Sequence, residues 1–262
     1  MVTVTKITPT KKSGFYNIYL NDKYSFTVTN LVLVNFKLKK GTVIEIPLLE
    51  QILCHELTER FKNFSLNTLQ SRPKSEKEVN NKLLLRAKKY QELWPIFNGK
   101  KTNLQFLTHK KNLNLKLHIN LAKPLTPNTK ILPFIQTEFL IEGKEAQKII
   151  NCAKSNTINF LKKYNYVNDL DFAKWLVEQR LKQGKGKLYI KQDLFKKGVL
   201  PDIINTVLYN IDSASSISLV YKKALKKYPK ELDKNKKKQK IYRYLLSRGF
   251  SYDEISLIIK DI

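Results

Sequence analysis

The sequence predicts a mainly α-helical protein, a short solenoid of helical repeats with a small N-terminal β segment and an inserted β element in the first repeat. Three observations carry this reading. From Pro47, apolar residues recur at helical spacing. The segment Lys187–Leu208 matches Lys238–Ile259 at an offset of 51 residues. Before Pro47 and around residues 88–143 the period falls to that of strands.

Residues 1–46 begin with Val2, Val4 and Ile7. The β-rich runs Phe15–Leu20 and Tyr24–Val28 then flank Asn21-Asp22-Lys23, the pattern of a hairpin. Pro47 suits a first helical turn, and Leu49, Leu53, Leu57 and Phe61 define one face of a long helix. That helix must stop near Ser71-Arg72, because Pro73 disfavours α conformation before it. Ser75 and Glu78 form a capping box that opens the next helix through Val79, Leu83 and Leu84. Within 88–143, Leu113, Leu115, Leu117, Ile119 and Leu121 alternate with polar residues, and Lys130–Ile141 is largely apolar. This stretch reads as an inserted β element, with a loosely ordered loop as the alternative. Beyond Glu145 the chain reads as short helices broken at Asn168-Asp169, Gly184–Gly186, Gly198, Asp212, Pro229 and Gly249.

The repeat is detailed. Ile190 matches Ile241, Leu194 Leu245, Gly198 Gly249, Val199 Phe250, Asp202 Asp253 and Ile204 Ile255. Each copy is a helix, a glycine suited to the left-handed C′ position, an apolar residue that folds back, and another helix. In the second copy Ser251 and Glu254 supply a capping box. A fainter copy, Val79-x3-Leu83, precedes Ile190 and Leu194 by 111 residues. Units of this size bury their faces against their neighbours.

Charge bounds the function. The chain has 49 Lys+Arg against 22 Asp+Glu, a net charge of +27. An AT-rich genome explains lysine replacing arginine, but not the excess over acids. A polyanion, nucleic acid above all, is the expected partner. The two cysteines, Cys54 and Cys152, are far apart and outside any CxxC pair, so neither a disulfide framework nor a zinc site is expected. No cofactor is called for. The N-terminus has no apolar signal core, and no run long enough to cross a bilayer occurs, so a cytoplasmic protein without membrane association is expected.

The segments Ser71–Val79, Tyr166–Leu181, Gly184–Val199 and Lys240–Ile255 resemble, in order and spacing, the tandem three-helix repeats of the RecX family of recombination regulators. Tyr16–Val28 resembles the extra β segment of its longer members. On that resemblance the chain divides into a β hairpin segment (1–46), the first part of the first repeat (47–87), the insertion (88–143), the third helix of the first repeat (144–164), a second repeat (165–211) and a third (212–262). One departure is Ala87, which stands where the family has a glycine before the third helix of the first repeat. The resemblance implies a non-enzymatic regulator. It would bind the RecA recombinase filament on single-stranded DNA, lodge along its groove and limit its growth and activity. A monomer is expected.

Within that frame, contact candidates are the cations of the Gln183–Lys187 loop and its flanks: Arg180, Lys185, Lys187 and Lys191. Arg72 and Lys74 beside Pro73, and Lys236, Lys237, Arg243 and Arg248 in the third repeat, extend the set. Lys222–Arg248 holds twelve Lys+Arg against Glu231 and Asp233. Such a run serves either as a solvated helix face or as a salt-sensitive phosphate contact. The glycine loop lacks the GxxxxGK[ST] pattern of a nucleotide site. Trp175, Phe172, Tyr242, Phe250 and Tyr252 are assigned to packing, while Tyr189 and Tyr244 suit packing or stacking. Two rivals compete. Glu142-Gly143-Lys144 imitates a nuclease ExK signature, but no Asp lies between Asp22 and Asp169 to complete a metal site. A sequence-independent DNA- or RNA-binding protein without a recombinase partner is the other.

Overall fold

The computed structural model describes residues 1–97, 143–209, 211–228 and 233–259. The expected β element of the insertion falls almost wholly outside the described residues. The chain forms two compact units: Met1–Glu59 with Leu85–Ala153, and Arg60–Leu84 with Lys154–Ile262.

In the first unit β1 (Val2–Pro9), β2 (Phe15–Leu20), β3 (Lys23–Thr29) and β4 (Val43–Ile44) form an antiparallel sheet in the order β3-β2-β1-β4. The β2–β3 turn is made by Asn21 and Asp22, with φ of 47° and 65°. Two positive φ values are what a two-residue turn between right-twisted strands needs, and Asn and Asp tolerate them best after glycine. Alternation puts Val2, Val4, Ile18, Leu20, Phe26, Val28 and Ile44 into the core. A short helix α1 (Asn30–Asn35) follows β3, and Thr29 donates from its N–H and Oγ1 to buried Glu56 at 2.7 and 2.9 Å.

The long helix α2 (Ile46–Leu69) ends two residues before Ser71, as Pro73 requires. Helix α3 (Glu76–Leu93) runs on six residues past Ala87 and leads into a 3₁₀ turn at Pro95–Phe97. The helical pattern therefore persists beyond residue 88. Tyr90 and Trp94 pack at the end of α3, and Trp94 reaches Phe26 at 6.3 Å between ring centres. Helix α4 (Gly143–Lys163) resumes where the third helix of the first repeat is expected. The expectation of no disulfide framework is corrected: Cys54 of α2 and Cys152 of α4 are joined as a disulfide, their Cα atoms 6.2 Å apart across 98 residues. Sequence separation hid what packing of two helices brings together.

The second unit holds two three-helix bundles. Helices α5 (Asp169–Lys182), α6 (Lys187–Lys196) and α7 (Pro201–Tyr209) enclose Phe172, Leu176, Ile190, Leu194, Val199, Ile204 and Leu208. Helices α8 (Ala214–Lys227), α9 (Lys234–Ser247) and α10 (Tyr252–Ile259) enclose Ile217, Val220, Ile241, Leu245, Phe250, Ile255 and Ile259. The glycine ends are the same in both. Gly198 (φ +80°) and Gly249 (φ +88°) are followed by Val199 and Phe250, whose N–H groups donate back to Leu194 and Leu245. The Ser251–Glu254 box is complete, with both reciprocal bonds present. The Ser75–Glu78 box is half made: Ser75 Oγ accepts from the Glu78 N–H, but the Glu78 carboxylate turns to Arg72 and Lys197. Among the described residues no helix is long and apolar enough to cross a membrane.

Candidate nucleic-acid interface

One kind of joint between helix ends is used twice in the second unit. At the first, the start of α3 meets the end of α6: Ser75 Oγ donates to the Lys197 carbonyl at 2.7 Å, and a Cβ on Gly198 would lie 2.5 Å from Lys77 Cδ. At the second, the start of α6 meets the end of α9. The Gly186 N–H donates to the Arg248 carbonyl at 2.8 Å, and the Leu188 N–H to the Gly249 carbonyl at 3.0 Å. A Cβ on Gly249 would lie 2.4 Å from the Tyr189 backbone nitrogen. Gly249 therefore answers two demands, the left-handed cap and the close approach.

This second joint gathers cations on aromatic rings. Lys185 Nζ sits 3.9 Å from the centre of the Tyr189 ring. Across the joint the Arg248 guanidinium lies 5.1 Å from the Tyr244 ring and donates to its hydroxyl at 2.9 Å. Lys227 lies over both Tyr228 and Tyr244, at 5.4 and 5.2 Å, and those two rings meet edge to face. All three cations and all three rings keep contact with solvent. Such an arrangement offers phosphate-binding charge beside π faces, the pairing that single-stranded nucleic acid needs.

The candidate cations separate by their surroundings. Lys185 and Arg248 belong to the joint, and half-exposed Lys187 stands at the α6 N-terminus. Lys191 and Arg243 are exposed further along α6 and α9, with Lys236 and Lys237 in the first turn of α9. Arg180 instead bonds Asp193 at 2.7 Å and Gln183 at 2.8 Å, tying α5 to α6. Arg72 holds Glu78 through both terminal nitrogens and stacks on Trp175 at 5.6 Å. Lys74 is buried and donates to the carbonyls of Thr68 and Arg72; burial, then Arg72 and Lys82, pull its pKa down. Burial pushes the Glu78 carboxyl up, but the bonds from Arg72 and Lys197 override it and hold it at about 2. Of the aromatics assigned to packing, Phe172 and Phe250 are buried, whereas Tyr252 is 67% exposed. It stands in the first turn of α10, on the face of Ile255 and Ile259, where its ring meets Tyr242 edge to face at 6.0 Å and stays open to solvent. Sequence reading missed Lys227 and Tyr228, which only the end of α8 brings to Tyr244.

A β hairpin segment followed by tandem three-helix units with glycine-capped joints defines a class of helical-repeat proteins. The profile of the "Regulatory protein RecX N-terminal domain" matches residues 2–45, that of the RecX second three-helix domain residues 168–208, and that of the third residues 215–259. "Regulatory protein RecX" of Clostridium acetobutylicum is 28% identical, over 99% of this chain and 96% of its own. Its namesake in Clostridium botulinum strain Eklund 17B is 32% identical, over 58% of this chain and 70% of its own. A crystal structure of regulatory protein RecX superposes with a TM-score of 0.56 at 20% identity, covering both chains fully, and so shares the fold. The chain belongs to the RecX family, a family of regulatory proteins rather than enzymes.

Proposed function

We propose that the chain binds the RecA recombinase filament on single-stranded DNA and inhibits its growth and activity, modulating recombination and DNA repair. The observation that carries this reading is the cation–aromatic surface where α6 meets α9, in a chain of this family. Lys185, Lys227 and Arg248 attract phosphate without reading sequence. Tyr189, Tyr228 and Tyr244 favour a strand with exposed bases over a duplex. The exposed lysines of α9 extend the charge, and the protein acts in the cytoplasm as a monomer.

The test is RecA-coated single-stranded DNA with ATP, titrated with the protein. Loss of ATP hydrolysis and strand exchange at substoichiometric protein is expected. Inhibition that begins only when bare DNA is saturated would favour the second reading, a sequence-independent nucleic-acid binder without a recombinase, which the charge of +27 by itself supports.

A further inference from the structure

Beyond DNA, the second unit carries two clefts at equivalent places in its two bundles. The first, about 430 Å³, is lined by Lys191, Gln192, Phe195, Lys196, Pro201 and Asn205 between α6 and α7, with Ile204 at its base. The second, about 450 Å³, is lined by Lys238, Gln239, Tyr242, Arg243, Tyr252 and Ser256 between α9 and α10, with Ile259 at its base. Four wall positions recur at the 51-residue offset: Lys191 and Tyr242, Gln192 and Arg243, Pro201 and Tyr252, Asn205 and Ser256. The fold thus produces this hollow twice.

The chemistry of the two hollows agrees although the residues differ. Each exposes a large apolar surface that a packed repeat would normally cover: Phe195 is 67% exposed in the first and Tyr252 67% in the second. Each sets two cations on its walls, Lys191 and Lys196 in one, Lys238 and Arg243 in the other. Among the described residues neither has a carboxylate in its lining. An occupant must therefore bring bulky apolar groups and negative charge together, and the net charge of +27 argues against a second copy of this chain.

We propose that the two clefts are docking sites for acidic amphipathic protein segments, each seating an apolar side chain in the hollow while neighbouring carboxylates meet the wall cations. A nucleic-acid strand also brings charge and flat rings, but a hollow that closes on an aliphatic floor, Ile204 in one and Ile259 in the other, suits an inserted side chain better than a stacked base, and the strand is the competing occupant in the test. The duplication suits a partner that presents the same segment more than once, since two linked sites gain avidity that one lacks.

The probe is a short synthetic peptide with phenylalanines one helical turn apart, flanked by glutamates, titrated into the isotope-labelled full-length protein and followed by amide NMR. Saturable shifts confined to residues around Lys191–Asn205 and Lys238–Ser256 are expected. Replacing the phenylalanines by serine, or the glutamates by glutamine, should each weaken binding about tenfold or more. Asn205→Glu and Ser256→Glu, at positions outside both cores, should each erase the shifts of one cleft and spare the other. The proposal is overturned if the serine peptide binds equally well, if shifts spread over the lysine surfaces at large, or if an oligonucleotide rather than the peptide perturbs the clefts. Because no DNA or recombinase is present, failure of the filament assay leaves this test intact, and the reverse holds as well.

Discussion

Gly186 and Gly249 touch backbone to backbone: a Cβ placed on Gly186 would stand 2.3 Å from the Gly249 carbonyl oxygen. No rotamer relieves such a clash, since the obstacle is main chain. Gly186→Ala and Gly249→Ala should each cost about 2–4 kcal/mol, from overpacking and, at Gly249, an added left-handed strain. Gly14 is the control. Its φ is +79° but nothing lies within 4 Å, so Gly14→Ala should cost only about 1 kcal/mol. Urea unfolding of the three variants checks the order; Gly186 has an ordinary φ of −84°, so a near-neutral Gly186→Ala together with a Gly249→Ala no costlier than Gly14→Ala would mean that the joint contributes nothing beyond backbone conformation.

Glu78 gives stability a pH dependence. Its carboxyl lies at about 2 in the folded chain against an ordinary 4.5, so the unfolded state takes up the proton first as pH falls. The contribution is present in full above about pH 4.5 and is lost as pH falls through about 2. Glu78→Gln should cost about 1–2 kcal/mol at neutral pH, a modest figure because Arg72 is partly exposed to screening. The gap between wild type and variant should narrow steadily below pH 4.5 in unfolding titrations. A gap that stays constant to pH 2.5 would show that the ion pair is not the source. Asp169 acts in the opposite sense, since burial raises it, which is why the comparison is made between variants and not along one curve.

What was legible in the sequence was local. Glycine caps, the hairpin turn and the Ser251–Glu254 box depend on residues within one turn of each other, and all formed where expected. The 51-residue repeat exposed both bundles because each core stripe recurs in register. The partners of charged groups were not legible. Arg180 finds Asp193 on the next helix, and Glu78 abandons its own box for Arg72 and Lys197, which lies 119 residues away. The Gln183–Lys187 loop shows the same limit. Its glycines do permit close approach, but at Gly186 the approaching group is the Gly249 backbone. The period-two alternation at 113–121 lies outside the described residues.

The disulfide makes a countable prediction. With Cys54 and Cys152 joined, the denatured, unreduced protein should show no titratable thiol, and two after reduction. Closing a loop of 98 residues restricts the unfolded chain, so reduction should lower stability by about 2–5 kcal/mol. Two thiols before reduction would remove the bond from the account of α2 and α4.

The joint between α6 and α9 predicts how single-stranded DNA binding should respond to salt and to sequence change separately. Each phosphate contact on a single strand contributes about 0.7 to the slope of log affinity against log salt. Removing Lys185, Lys227 and Arg248 together should therefore flatten that slope by about 2. Tyr244→Leu keeps the charges, so its slope should stay near that of the wild type. Its loss should appear instead as about 1–3 kcal/mol of affinity for ordinary single strands and almost none for an abasic strand of equal length. Fluorescence anisotropy across a salt series resolves the two effects. If Tyr244→Leu weakens ordinary and abasic strands alike, the rings serve only to hold Lys227 and Arg248, and stacking has no part. If instead the triple charge variant leaves the slope unchanged, the phosphates lie elsewhere, and exposed Lys236 and half-exposed Lys237 of α9 become the residues to test.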